Sequence, residues 1–255
     1  QVASLFAASS RRLVEFGMEA SGRAREQINW PVSVVLDDEG KFLGTLIPAA
    51  GSEYLVELPT GVTKPQALSF FVSKKGPEVL GITPLSESEA LDLILDLART
   101  LHELEEVGAV YQDLNPANIL VARTPQLKVL LLDADSVYLD SVSTAEQPRM
   151  IAREWRDPWL APGEPPDTAG ESHALGQLLL RIAGKSQEQL PLDVQEMIRT
   201  SLLPDRSLRP TLAQWVCTLE TRAEPKPPSV RSPITDVIGA AMAADLRFGG
   251  YDFAS

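Results

Sequence analysis

Acidic and amide side chains are concentrated in two short stretches near the middle of the chain. The first holds Asp113 and, five residues later, Asn118; the second is Asp133-Ala134-Asp135, which follows the apolar run Val129 to Leu132. A tight loop and a short hairpin would bring these side chains to one cleft. One carboxylate can then orient a hydroxyl group, while the amide and a second carboxylate hold Mg²⁺ against nucleotide phosphates. The spacing therefore predicts phosphoryl-transfer chemistry.

The order of these residues resembles the catalytic and metal-binding loops of the protein-kinase fold. Kinases carry H-R-D-L-x-x-x-N and D-F-G at these places. This chain reads Tyr111-Gln112-Asp113-Leu114, with Asn118 following, and then Asp133-Ala134-Asp135. The motif D-L-N-P-x-N, the motif D-x-D-S and Trp30-Pro31 are similar to a divergent bacterial Ser/Thr kinase-like group.

The resemblance implies a role for each site residue. Asp113 would be the catalytic base. Asn118 and Asp133 would bind the cofactors, ATP with Mg²⁺ or Mn²⁺, and Asp135 would be an additional metal contact. The implied partner is a protein, either as Ser/Thr substrate or as a regulated binding partner.

The same resemblance covers roughly Trp30 to Glu220 and implies the fold. We expect an α+β, protein-kinase-like two-lobed fold with a truncated or reduced N-lobe and a mainly helical C-lobe. The predicted boundaries are a partial N-lobe at 1–50, a C-lobe at 51–223, and a Pro-rich linker with a short tail at 224–255.

Two segments downstream of the site extend the resemblance. Trp155 to Glu164 is similar to the end of an activation segment, where kinases have A-P-E, and Glu171 to Gly176 is similar to the start of the central C-lobe helix, with Glu in place of Asp. Leu208 to Thr211 matches a late R-P-T element, whose Arg pairs with the A-P-E Glu in kinases. The resemblance thus implies a partly buried ion pair between Glu164 and Arg209.

Several kinase elements are missing from the sequence. It has no G-x-G-x-x-G run and no V-A-I-K-like strand before its first helix, where Glu15 or Glu19 would be the acidic partner of the nucleotide-binding Lys. Asn115 stands in place of the catalytic-loop Lys, and Gln112 in place of an Arg that receives activation-loop phosphate in many kinases. Losing one preorganised electrostatic group lowers a rate by on the order of 10²- to 10³-fold.

Two functional hypotheses follow from this mixture of retained and missing elements. The chain is either an ATP-dependent protein Ser/Thr kinase or a pseudokinase that acts as a regulatory protein-binding module. The missing strands indicate either a fragment or a reduced N-lobe.

Other interpretations of the motifs stay open. Asp113 and Asn118 are also common turn formers. An apolar strand that ends in D-x-D-S resembles the first motif of haloacid-dehalogenase-type phosphatases, and superficially the D-x-D of glycosyltransferases. The phosphatase hypothesis requires a parallel sheet with a later Lys and acidic pair, which Pro204 to Thr211 does not supply.

The composition indicates which partners and which cellular compartment to expect. A net charge of −12 and a pI near 4.7 argue against nucleic acid or anionic membrane as the main partner. The single cysteine, Cys217, cannot form an internal disulfide, which suits a reducing compartment. No apolar run of eighteen residues and no signal-peptide pattern occurs, so we expect a cytoplasmic protein.

Periodicity and turn residues predict the elements that position the site. Ser86 and Glu89 form a capping box at the start of a helix that ends near Val107, before Gly108. A hairpin pairs Val32–Leu36 with Phe42–Ile47 around Gly40. Further helices are predicted at 2–20, 66–72, 171–183, 191–203, 212–222 and 234–248.

Overall fold

The computed structural model describes residues 2–72, 76–142 and 152–222. The described helices are α1 (Val2–Glu19), α2 (Gly22–Glu26), α3 (Ser69–Val72), α4 (Gly76–Leu80), α5 (Glu87–Glu106), α6 (Thr168–Ala183), α7 (Leu192–Ser201) and α8 (Leu212–Glu220). None of these helices is long and apolar enough to cross a bilayer. The predicted tail, including the helix at 234–248, lies outside the described residues.

Within residues 2–72, 76–142 and 152–222, the strands form four separate antiparallel pairs. They are β1 (Ser33–Leu36) with β2 (Phe42–Leu46), β3 (Leu55–Glu57) with β4 (Thr63–Pro65), β5 (Ala109–Tyr111) with β8 (Val137–Leu139), and β6 (Ile119–Ala122) with β7 (Lys128–Leu131). The mixture of helix and strand is compatible with the predicted α+β class. The antiparallel pairing of the described strands does not match the parallel sheet that the phosphatase hypothesis requires.

The helix and the hairpin predicted near the amino terminus are both present, as α1 and as the β1–β2 pair. Gly40 has a φ of +80° in the hairpin turn, a conformation that glycine adopts without steric cost. The ring of Phe16 on α1 packs against Trp30, with centroids 5.4 Å apart.

Polar contacts attach α2 to the long helix α5. The carboxylate of Glu103 accepts the amide of Arg23 at 2.6 Å. Asp96, which is buried, forms an ion pair with Arg23 and accepts hydrogen bonds from Gln27 at 2.7 Å and from the amide of Val129 at 3.1 Å. The amino-terminal segment is therefore joined to both α5 and β7.

Helix α5 begins and ends as predicted and passes through the core. The capping box is confirmed. The hydroxyl of Ser86 accepts a hydrogen bond from the backbone amide of Glu89, and the carboxylate of Glu89 accepts one from the backbone amide of Ser86. Gly108 follows the helix with a φ of +71°. The buried face of α5 packs against α6 and α8, with Leu93, Leu97 and Leu101 fully enclosed.

The fold differs from the predicted local structure at several places. The β3–β4 hairpin lies where we expect irregular chain. The β5–β8 pair is also unpredicted, because each of its strands has three residues and its partner is distant in sequence. Helix α6 begins at Thr168, three residues before the predicted start, because the carboxylate of Asp167 caps it by accepting the amide of Gly170 at 3.0 Å.

The predicted ion pair between Glu164 and Arg209 is wrong. Arg209 instead donates to both carboxylate oxygens of Asp157, at 2.6 and 3.0 Å, and the two side chains are 0% and 2% exposed. Arg206 adds a contact to Asp157 at 2.8 Å. Glu164 is exposed, so it cannot neutralise a cation in the interior.

Burial and hydrogen bonding act in opposite directions on this carboxylate. Burial alone would raise the pKa of Asp157, but the hydrogen bonds from Arg209 and from the amide of Trp159 lower it below its ordinary value. Arg209 also donates to the carbonyl of Ala169 on α6 at 3.0 Å, so the charged pair joins the 152–167 segment to α6.

Replacing Asp157 tests this assignment. We expect Asp157→Ala to reduce the free energy of unfolding by about 3–5 kcal/mol, because it leaves the buried Arg209 charge unpaired. Glu164→Ala, the matched control, should change it by less than about 0.5 kcal/mol. Urea unfolding monitored by circular dichroism measures both. Equal losses in the two variants would contradict the assignment.

Candidate functional site

Tyr111, at the end of β5, fixes the start of the loop that carries Asp113. Its side chain is fully buried. Its backbone amide donates a hydrogen bond of 2.6 Å to Oε1 of Glu171 on α6, and its hydroxyl donates to the carbonyl of Leu132 after β7. Two separate parts of the fold therefore set the position of the loop.

Within the loop, two asparagines maintain the turn. Asn115 accepts the amide of Ala117 at 3.0 Å and donates to the carbonyl of Asp113 at 3.1 Å. Asn118 donates through Nδ2 to Oδ2 of Asp113 at 2.8 Å. This orientation leaves Oδ1 of Asn118, a carbonyl oxygen, for another ligand. The structure thus brings two of the predicted site residues into direct contact.

The second predicted stretch lies beside the first. The amide of Leu132 donates a hydrogen bond to the carbonyl of Asn118 at 2.8 Å. Asp133 is the next residue after Leu132, so its backbone lies close to that of Asn118. Asp133 has φ +51° and ψ +50°, the left-handed region that few residues other than glycine adopt. The amide and hydroxyl of Ser136 hold this turn by donating to the carbonyl of Asp133, at 3.0 and 2.9 Å. Such strained backbone is concentrated at functional sites.

The carboxylates of the two stretches act on one another. Burial, and then the negative charge of Asp133, raise the pKa of Asp135 above its ordinary value, and Asp113 adds to the effect. Burial and the charges of Asp113 and Asp133 likewise raise the pKa of the Tyr111 phenol well above its ordinary value. A divalent cation among these carboxylates would offset the repulsion.

The donor set fits magnesium. Asp133 and Asp135 offer carboxylate oxygens and Asn118 an amide oxygen, and Mg²⁺ prefers such hard oxygen ligands, binding through one or two carboxylates together with substrate phosphates. In the described part of the chain, no group of three or more His, Cys, Asp or Glu side chains is arranged to hold a metal ion. The set is therefore open, and phosphate and water oxygens would have to complete it.

One contact on Asp113 comes from a segment that sequence reasoning did not connect to it. The amide of Ala152 donates to Oδ1 of Asp113 at 2.6 Å. With Asn118 on the other oxygen, both carboxylate oxygens of Asp113 accept hydrogen bonds. A substrate hydroxyl would have to replace the Ala152 amide. Because the donor is a backbone group 39 residues away, no side-chain pattern indicated it.

The chain is similar to bacterial protein kinases. It is 27% identical to serine/threonine-protein kinase PknB of Mycobacterium tuberculosis over 172 residues, which are 66% of this chain and 25% of that protein. It is 25% identical to the probable serine/threonine-protein kinase CE0033 of Corynebacterium efficiens over 174 residues, 64% of this chain and 26% of that protein. Serine/threonine-protein kinase pkn2 of Myxococcus xanthus is 27% identical over 188 residues, 67% of this chain and 22% of that protein.

These similarities support a kinase-like fold over about two thirds of the chain. The matched region spans about a quarter of the length of the relatives. No protein-family model matches the chain.

Charge repulsion among Asp113, Asp133 and Asp135 predicts the effect of removing one carboxylate. We expect Asp135→Asn to raise the free energy of unfolding by roughly 0.5–1 kcal/mol in chelator at low ionic strength, and by less in high salt. The pKa of Asp135 is higher in the folded protein than in the unfolded chain. Ionisation of this carboxylate therefore destabilises the fold as the pH rises through its pKa. The gain should therefore disappear below the ordinary pKa of 3.8.

Asp38→Asn is the control for this prediction, because it removes the same charge from an exposed position in the β1–β2 turn. Thermal unfolding across pH and salt compares the two variants. An equal change in the free energy of unfolding of both variants would show that repulsion among Asp113, Asp133 and Asp135 is not the cause.

Proposed function

We propose that this chain is a kinase-like domain that binds ATP with Mg²⁺ and transfers phosphate to Ser or Thr of a protein. The observation that carries the proposal is the convergence of Asp113, Asn118 and Asp133 through the hydrogen bond between the first two side chains and the backbone bond that joins Asn118 to Leu132. The names of the relatives supply the substrate class.

Each site residue has a distinct task in this proposal. Asp113 accepts the proton of the substrate hydroxyl, or orients that hydroxyl, through the oxygen that now receives the Ala152 amide. Asn118 uses its Nδ2 to hold Asp113 and its Oδ1 to bind the cation, and Asp133 supplies a carboxylate, with Asp135 as an additional contact. When bound, Mg²⁺ neutralises charge on the nucleotide phosphates.

A pseudokinase is the second candidate, and two observations favour it. Asn115, which stands in place of the catalytic-loop Lys, is hydrogen-bonded within the turn and so provides no positive charge for a phosphate. The Ala152 amide donates a hydrogen bond to Oδ1 of Asp113, the oxygen that a substrate hydroxyl would need. In this alternative the cleft or its surroundings bind a regulated protein partner.

Ligand-dependent stabilisation tests the nucleotide site. ATP with Mg²⁺ at about a hundred times its Kd should stabilise the folded protein by about 2.7 kcal/mol, and ATP in chelator should stabilise it less. Asp133→Asn should lose most of the Mg²⁺-dependent part. Asn suits this test because it tolerates the left-handed conformation of Asp133 while removing its charge.

Asp38→Asn, the control, should retain the full effect of ATP and Mg²⁺. Differential scanning fluorimetry measures all three proteins. If ATP with Mg²⁺ stabilises none of them, the nucleotide site is refuted.

Phosphate transfer distinguishes the two candidate functions. We expect Asp113→Asn to lower transfer from radiolabelled ATP by on the order of 10²- to 10⁴-fold, because Asn cannot take the proton of the hydroxyl. Stabilisation by ATP with Mg²⁺ should be kept, since Asp113 is not among the cation ligands. A Ser/Thr peptide library serves as the acceptor. Stabilisation without any transfer by the wild-type protein would support the pseudokinase.

A further inference from the structure

Strand β7 pairs with β6 along one edge, and among the described residues no named strand covers its other edge. At this outer edge, the amide of Leu131 donates to the carbonyl of Gln27 at 2.8 Å, and the carbonyl of Leu131 accepts the amide of Asn29 at 2.8 Å. Ile28 and Leu131 thereby form an isolated parallel bridge. The chain from Gln27 to Asn29 therefore lies beside the end of β7 as a very short third strand.

Side chains complete the outer edge two residues earlier, at Val129. Because hydrogen-bonding directions alternate along a strand, Val129 and Leu131 present their amides and carbonyls to the same edge. The amide of Val129 donates to Oδ2 of Asp96 at 3.1 Å, and its carbonyl accepts the hydroxyl of Tyr54 at 3.3 Å. Val129 is fully buried, so an amide without a partner there would be costly. Asp96 thus supplies the acceptor that a longer third strand would have supplied.

Asp96 is itself held by several groups. Its residue is buried, and the same Oδ2 accepts Nε2 of Gln27 at 2.7 Å. The hydroxyl of Thr100, one turn later on α5, donates to Oε1 of Gln27 and so fixes the direction of that side-chain amide. Oδ1 of Asp96 forms the ion pair with Arg23. One carboxylate therefore joins α5, the amino-terminal segment and β7.

The strand that Asp96 holds ends at the candidate site. Asp133 lies two residues beyond Leu131, the last residue of β7, and Asn118 lies immediately before Ile119, the first residue of β6. Leu131 and Ile119 are paired. The two proposed cation ligands therefore leave neighbouring strands at the same end of the hairpin. Their separation depends on the position of β7, and groups that orient metal ligands influence metal affinity.

We propose that Asp96 is a positioning residue for the cation site, because it fixes the outer edge of β7 and thereby the place of Asp133 relative to Asn118. The use of this position by Mg²⁺ rests on the proposed function, whereas the hold of Asp96 on β7 does not. Arg23 has a lesser part, because its side chain is 33% exposed and it contacts Asp96 rather than the strand.

Hydrogen exchange of backbone amides, followed by NMR without nucleotide or metal, tests the hold on β7. Asp96→Ala removes the acceptor oxygens, so exchange at Val129, Leu131 and Ser136 should become roughly 5- to 100-fold faster, as expected for the loss of a buried hydrogen bond. Ser136 reports on the turn at Asp133. Each rate is divided by that of the Trp215 amide, which is bonded at the start of α8 and reports global unfolding. Unchanged ratios would overturn the proposal.

Two variants separate the strand contact from the ion pair. Asp96→Asn keeps an oxygen for the Val129 amide, and Arg23→Gln removes the cation while leaving the carboxylate. Both should keep the exchange ratios of the wild-type protein. If Arg23→Gln instead matched Asp96→Ala, the ion pair would be what holds β7, and the proposal would be wrong. Asp96→Ser, which retains a polar group but has a shorter side chain, gives the same test if Asp96→Ala does not fold.

Manganese binding tests the consequence for the cation site. Mn²⁺ is titrated into the protein with a non-hydrolysable ATP analogue and followed by electron paramagnetic resonance. Asp96→Ala should weaken Mn²⁺ binding by about tenfold, whereas its affinity for the analogue in chelator should match that of the wild-type protein. Asp96→Asn should bind Mn²⁺ as the wild-type protein does. Wild-type affinity for Mn²⁺ in Asp96→Ala would overturn the positioning role.

The two measurements distinguish failure of this inference from failure of the proposed function. A wild-type protein that binds no Mn²⁺ with the analogue would refute the proposed cation site. The exchange ratios at Val129 and Ser136 need neither metal nor activity, so they would still decide whether Asp96 holds β7 and the turn at Asp133.

Discussion

The amide of Tyr111 bonded to the buried acid of Glu171 is the interaction on which the arrangement of the site depends. This bond joins β5 to α6, while the hydroxyl of the same tyrosine joins β5 to the chain after β7. Asp113 follows Tyr111 by two residues, and Asp133 follows Leu132 directly. One fully buried side chain thus sets the separation of the two acidic stretches, and packing in the core resists any change in that separation.

The candidate site is acidic, because Asp113, Asp133 and Asp135 lie near one another. Burial and the charges of Asp133 and Asp113 raise the pKa of Asp135, and the turn at Asp133 is held in a conformation that costs free energy. Buried charged contacts join the surrounding elements: Asp96 on α5 accepts a hydrogen bond from Gln27, and Asp157 pairs with Arg209 beside α6.

Local signals were sufficient where neighbours in sequence are also partners in space. The capping box of Ser86 and Glu89, the hairpin turn at Gly40 and the end of α5 at Gly108 involve residues within a few positions of each other, and all three are confirmed. The β5–β8 pair escaped prediction because each strand is only three residues long and its partner is distant. Strands that short carry too little periodicity to be recognised.

The sequence by itself determined the chemistry available: a loop with an acid and an amide five positions apart, followed by a D-x-D after an apolar strand. Only the tertiary structure decided which distant groups meet. It pairs Arg209 with Asp157 rather than Glu164, and it directs the amide of Ala152 to Asp113. The physical reason is that burial selects the partner of a charge, and burial is a property of the packed fold that the order of residues does not show.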